Sequence, residues 1–267
     1  MKRKKKEKLK LLDDQVVSMD LRNAIQKGQF KLYYQPKIDS SSRQLVGAEA
    51  LIRWEHPVEG LILPGKFIPL AEETGFITEI GKWVLQEACQ QIKDWQNKYH
   101  QAIHLSINLS AIEFYQSNIV DIIKDTIQKI GIEAHLLQIE LTESMVLIDI
   151  EQVIVKMQAL QKLGIKIGLD DFGTGYSSLS HLQALPINVL KLDRSFITNI
   201  EKEEITRNIV QTIITLAKLL NLEVIAEGVE KIEQVERLQK MGCTLIQGYY
   251  YGEPLSKIDF ERVYLDR

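Results

Sequence analysis

Apolar residues return along this chain in two alternating rhythms. Short apolar runs of strand length occupy residues 30–36, 44–54, 103–109, 136–141, 165–169, 189–192, 222–226 and 244–246. Between most of them lie stretches with apolar positions three or four apart, at 76–98, 117–130, 150–163, 202–220 and 231–241. The first of these helices places Ile77, Ile80, Val84, Leu85, Ala88, Ile92 and Trp95 on one face. Near-continuous apolar strands alternating with helices predict a parallel sheet covered by helices. Seven or eight such strands favour a closed barrel over an open sheet. No Pro/Gly/Ser-rich linker interrupts the pattern after Asp20, which predicts one domain.

Length and composition sharpen this picture. The 267 residues divide nominally into two domains of ~150, but an α/β barrel commonly takes ~250 as one unit. The chain is 45% hydrophobic and 26% charged, which excludes a disordered, collagen-like or coiled-coil protein. No run of 18 uncharged apolar residues occurs, so no transmembrane helix is expected. The opening Met1-Lys-Arg-Lys-Lys-Lys is not a secretory signal. Cys89 and Cys243 are too few for a disulfide scaffold and read as buried thiols in a reducing compartment. The expectation is a cytoplasmic protein, alone or within a larger or membrane-anchored one.

The net charge of −3 hides an asymmetry. Residues 1–10 carry seven Lys/Arg against one Glu, leaving 26 basic and 35 acidic residues, a net −9, for the rest. So acidic a body does not look like a nucleic-acid platform, and no nucleic-acid polymer is expected as its partner, because phosphate chains need a basic face. The basic segment reads as a solvated tail or linker over 1–17, with anionic lipid or RNA as the alternative contact.

The chemistry lies at the strand ends. Asn108 closes one strand, Glu140 and Glu143 the next, then Asp170 and Asp171, Lys191, Glu227 and Gln247, while Glu49 interrupts an otherwise apolar strand. Any one of them alone is a solvated loop residue. Six consecutive strands ending this way point to the carboxyl-end mouth of a barrel, where such side chains converge. Glu49, Glu140, Glu143, Asp170, Asp171, Glu227 and Glu230 together would repel strongly unless cations joined them. Lys191 cannot balance them alone. Oxygen ligands without a His or Cys cluster select Mg²⁺ or Mn²⁺ rather than Zn²⁺; His56, His100, His104, His135 and His181 are scattered. Adjacent Asp170 and Asp171 suit a bridged metal pair, the arrangement that activates water against a phosphoryl group. Phosphate-ester hydrolysis is what this set suggests.

Three near-matches fail. Asp171-Phe-Gly lacks a His-Arg-Asp loop and an upstream Gly-rich loop. Gly173-Thr-Gly175-Tyr-Ser-Ser lacks a third glycine and follows two aspartates that would repel a pyrophosphate. Gly75 to Gly81-Lys82 has the wrong spacing, and Trp83 stands where Ser/Thr belongs.

Tyr34-Gln35-Pro36, Glu49-Ala-Leu51 and Arg53-Trp54-x-His56-Pro57 resemble the signature of the EAL-domain family of cyclic di-GMP phosphodiesterases. The resemblance continues through Asn108-Leu-Ser110, Glu140-Leu-Thr-Glu143, Asp170-Asp-Phe-Gly-Thr-Gly-Tyr-Ser-Ser178, Lys191-Leu-Asp193-Arg-Ser-Phe196, Ala226-Glu-Gly-Val-Glu230 and Gln247-Gly-Tyr249. It implies an EAL domain over 18–262: a modified TIM-type (β/α)8 barrel with its first strand antiparallel. Two Mg²⁺ or Mn²⁺ ions would cut cyclic di-GMP to linear 5′-pGpG. It implies Glu49, Asn108, Glu140, Asp170 and Asp171 as metal ligands, Lys191 as holder of the attacking water and Glu227 as its support. Glu143, Glu230 and Gln247, with the loop Phe172, Gly173, Thr174 and Gly175, would form the surrounding shell and couple metal to a homodimer interface. Gln35, Arg53, Asp193 and Tyr251 would contact substrate, Tyr251 through a guanine.

One departure is visible: Gly252-Glu253-Pro254 stands where the family commonly has Ser-Lys-Pro, removing a positive charge near the nucleotide. Residues 20–30 resemble the helix that joins an upstream GGDEF or sensory domain. The alternative function is a catalytically silent cyclic di-GMP receptor or scaffold. Such members lose a metal ligand, the lysine or the double aspartate, and this chain keeps them all.

Overall fold

The computed structural model describes residues 21–146, 148–173 and 179–266; the expected tail at 1–17 and the loop residues Thr174 and Gly175 lie outside them. Nine strands follow in chain order: β1 (Phe30–Asp39), β2 (Gln44–His56), β3 (Gly60–Ile62), β4 (His104–Asn108), β5 (Leu137–Thr142), β6 (Lys166–Phe172), β7 (Val189–Leu192), β8 (Glu223–Ala226) and β9 (Leu245–Gln247). From β2 through β4 to β9 each strand runs parallel to the next. β1 closes the ring between β2 and β9 and is antiparallel to both. The result is an eight-stranded barrel with a reversed first strand, as expected, and β3 extends β2 as a short hairpin.

The alternation along β1 explains how it fits. Phe30, Leu32 and Tyr34 are buried and join the outer helical layer. Phe30 packs among Trp54, Phe67 and Trp83, and Tyr34 sits edge-on to Trp95 and beside Phe260. Gln35 and Lys37, on the opposite face, enter the barrel interior. The helix Ile77–Tyr99 buries the face predicted for it, including Ile80, Ala88, Ile92 and Trp95. Cys89 and Cys243 are buried free thiols.

Several elements depart from the hydrophobic pattern. The helix Pro64–Glu73 was not foreseen, because Pro64 in its first turn and Pro69 inside it obscure the periodicity. The short helices Ala111–Phe114, Glu143–Val146 and Arg194–Thr198 sit just beyond strand ends, and these and Leu179–Ala184 span too few residues to show a period.

One packing detail gives a stability prediction. Glu113 is buried and closes a capping box with Ser110, and burial pushes its carboxyl up to about 7. A methyl group on Gly81 would overlap that carboxylate. Gly81→Ala is therefore expected to destabilise by about 1–3 kcal/mol through overpacking. Glu113→Ala alone should cost about 1 kcal/mol through the lost cap. Denaturant midpoints of the double variant should show it at least ~1 kcal/mol more stable than the summed singles; simple additivity would refute the contact.

Candidate active site

The barrel interior explains why these strands carry polar residues. In a common α/β barrel the inward positions are filled by Val, Ile and Leu. Here the upper inward positions are Glu49 on β2, Asn108 on β4, Glu140 on β5, Asp170 on β6, Lys191 on β7 and Gln247 on β9, with Glu227 just past β8. Register brings them level: Glu49 faces Gln35 across β1 and β2, and Asn108 faces Glu140 across β4 and β5.

Lys191 is the centre of the set and is 1% exposed. Its Nζ lies 2.5 Å from Glu140 Oε2, 2.6 Å from Glu227 Oε1, 3.0 Å from Asp170 Oδ2 and 3.3 Å from Glu49 Oε2. Burial alone would lower its pKa, but Glu140, Glu227, Glu49 and Asp170 hold it well above the ordinary value. The carboxylates respond unequally. Burial would raise Glu140, yet the ammoniums of Lys191 and Lys37 win and bring it down to about 2. Asp170 is pushed up to about 6 by burial, with Glu140 and Glu49 adding to the shift and Lys191 opposing it. Glu227 rises to about 8 for the same reasons, despite its ion pair. One lysine does not neutralise this ring.

Around the ring, Asn108 donates to Glu49 Oε1 at 2.6 Å, and Gln247 donates to Glu49 Oε2 at 2.7 Å and to Gln35 at 3.0 Å. The double aspartate lies in an irregularity of the β6–β7 pairing. Asp171 has φ +55, a left-handed conformation that Asp tolerates better than most residues. Its N–H donates to Asp170 Oδ1 at 2.8 Å. Burial and neighbouring Asp193 raise the Asp171 carboxyl. Glu143, buried, accepts from the Gly173 N–H at 2.8 Å and so anchors the turn after β6. Gly173 has φ +93 and packs where any Cβ would meet the Phe196 ring. Phe172 packs against the core from the same turn.

An open cavity of about 280 Å³ lies over the ring, lined by Gln35, Glu49, Asp170, Lys191, Glu227 and Gln247, with Arg194, Glu230 and Tyr249 at its edge. Glu230 is held by Arg194 at 2.6 Å. Arg53 does not line this cavity, although it interacts electrostatically with Tyr249 and Glu49, which do; its guanidinium lies over the Tyr33 ring and donates to the Ile52 carbonyl. Asp193 caps the helix Arg194–Thr198 through the Ser195 N–H. Tyr251 does not line this cavity. It borders a different one with Arg43, Gln101 and Tyr264, and Tyr249 is the aromatic at the mouth.

The sequence reading missed Lys37, Ser106 and Gln138, which lie one layer deeper, and also Arg194 and Tyr249. For the deeper three the signal was alternation. Lys37 follows Gln35 by two residues, while Ser106 and Gln138 precede Asn108 and Glu140 by two.

The donor set fits a hard divalent cation. Carboxylate and amide oxygens are the ligands Mg²⁺ and Mn²⁺ take, and the ring carries more negative charge than its lysine offsets. Gln247 Oε1 is buried at the ring with no hydrogen-bond donor among the described residues. Among the described residues no three acidic, His or Cys side chains surround a common metal position. Instead four carboxylates close on Lys191 Nζ, as repelling anions do around a shared cation.

Residues 18–254 match the family model described as EAL domain. The chain is 43% identical over 236 residues to "Bifunctional diguanylate cyclase/cyclic di-GMP phosphodiesterase MucR" of Pseudomonas aeruginosa, covering 88% of this chain and 34% of that protein. It is 38% identical to "Cyclic di-GMP phosphodiesterase NbdA" of the same species, covering 88% of this chain and 30% of that one. It thus spans about a third of the length of these curated relatives. A solved structure described as "PaMucR Phosphodiesterase, c-di-GMP complex" superposes with a TM-score of 0.88 at 41% identity, covering 91% of this chain and 99% of the other.

Proposed function

The chain belongs to the EAL-domain family, and on that premise we propose that it is a divalent-metal-dependent phosphodiesterase that opens cyclic di-GMP to linear 5′-pGpG. The observation that carries this reading is the convergence of Glu49, Glu140, Asp170 and Glu227 on one buried lysine beneath an open cavity. The dinucleotide is the substrate because relatives at 38–43% identity are named for hydrolysing it.

In this reading Glu49, Asn108, Glu140, Asp170 and Asp171 hold two Mg²⁺ or Mn²⁺ ions. Such ions, when bound, supply positive charge to a phosphodiester and lower the pKa of water. The chain's own residues do the rest. Lys191 holds the attacking water, and Glu227, paired with it at 2.6 Å, fixes the ammonium. Gln35 and Arg53 bind and orient the phosphodiester, with Arg194 as a further cation at the cavity edge. The exposed ring of Tyr249 offers a base a stacking face. Glu143 holds the turn that presents Asp170 and Asp171.

Product identity tests the proposal. Incubation with cyclic di-GMP and Mg²⁺, followed by chromatography, should yield the linear dinucleotide with one phosphodiester cut. Tight binding of an intact dinucleotide would instead identify a silent receptor.

A further inference from the structure

A second buried ammonium lies beneath the ring. Lys37, on the reversed strand β1, is 5% exposed, an unusual state for a lysine unless it is paired. Its Nζ reaches Glu140 Oε1 at 2.6 Å and Ser106 Oγ at 2.7 Å. Gln138 Nε2 donates to the same Glu140 oxygen at 2.9 Å. Glu140 is therefore divided: Oε1 takes Lys37 and Gln138 from below, and Oε2 faces Lys191 at the ring. Glu140 itself is 1% exposed. The pairing of β1 with β2 shifts register between Lys37 and Ile38, an irregularity of the kind that re-aims a side chain. Lys37 also lies opposite Gly47 and Gln247 on the two neighbouring strands, so the reversed strand delivers its amine to the barrel axis.

We propose that Lys37 is a positioning residue: it fixes the lower oxygen of Glu140 so that the other is the one presented to a divalent cation. This rests on the metal-dependent reading above. The consequence for Lys191 is direct. With Lys37 and Gln138 on its lower oxygen, Glu140 stays paired when a cation replaces Lys191 at the upper one. Lys191 is then free to serve water without stranding a buried carboxylate, a loss that is otherwise strongly destabilising. The rival role, simple counter-charge, predicts the opposite sign. If Lys37 only offsets negative charge, removing it strengthens cation binding.

The test is Lys37→Met, of similar length without the amine, with Mn²⁺ titrated calorimetrically into the nucleotide-free protein. Loss of a partner that orients a metal ligand typically weakens metal affinity about 10–100-fold, and that is the expected result. In turnover, half-saturation by Mn²⁺ should rise while kcat at saturating Mn²⁺ recovers, a split that general structural damage would not give. Unchanged or tighter Mn²⁺ binding in a variant that melts cooperatively would overturn the role of Lys37 alone. Absence of Mn²⁺ uptake by the unaltered chain would overturn the metal reading as well. Should Lys37→Met fail to fold, Ser106→Ala removes the hydroxyl that anchors the amine and leaves the charge in place. It should weaken Mn²⁺ binding in the same direction by a few-fold, and unaltered affinity would refute the proposal.

Discussion

Lys191→Met is expected to reduce turnover of cyclic di-GMP about 10²–10⁴-fold, the range for losing a positioned group that handles a proton. Cyclic di-GMP affinity should change far less, because Lys191 lies at the floor of the cavity and is 1% exposed. The same change should lower the melting temperature of the metal-free protein. Removing one member of a buried ion pair typically costs about 3–5 kcal/mol, or roughly ten degrees at ~2–4 °C per kcal/mol for a domain of this size. The sign of its pH dependence is fixed by the ring. In the unaltered protein the ion pairs with Lys191 weaken as pH falls and the carboxylates take up protons. In the variant, protonation relieves the repulsion that the missing ammonium had offset. The stability gap should therefore be wide near pH 8, where Asp170 at about 6 is ionised, and narrow toward pH 5. Melting curves in EDTA at both values check this. A gap that widened on acidification, or turnover within tenfold of normal, would show that Lys191 is not the hub.

Glu49→Gln separates chemistry from architecture. Glu49 accepts from Asn108, Gln247 and Lys191, and an amide keeps its shape and one accepting oxygen. What it removes is a negative charge from a set that already exceeds its cations. Turnover should fall about 10²–10³-fold, as expected when a group acting on the transition state is lost. The barrel should still melt cooperatively within a few degrees of the unaltered chain. Near-normal turnover at saturating Mg²⁺ would remove Glu49 from the metal site.

The contrast between these residues and Lys37 shows what a sequence can disclose. Glu49, Asn108, Glu140, Asp170, Lys191, Glu227 and Gln247 were legible because the barrel puts them at strand ends, where an acid or amide breaks an apolar run. Lys37 was not, since a lysine in a strand reads as solvent-facing unless alternation is counted from a residue of known orientation, here Gln35. Tyr249 and Tyr251 could not be told apart because β9 ends at Gln247. The chain then turns, with the Tyr251 and Gly252 N–H groups donating to the Gly248 carbonyl, and strand alternation no longer applies. The burial of Glu113 was not legible, because its carboxylate packs against Gly81, more than thirty residues away. The helix Pro64–Glu73 was hidden by its own prolines. The barrel itself was legible because its strands and helices keep their separate periods.

The most direct test of the whole account is metal-switched hydrolysis. Protein freed of metal by EDTA, passed into buffer and given cyclic di-GMP, should produce no 5′-pGpG until Mg²⁺ or Mn²⁺ is added. Addition should restore turnover in the unaltered chain and not in Glu49→Gln. Hydrolysis that continued in excess EDTA, or that returned equally in both proteins, would contradict a metal centre built on the carboxylates around Lys191.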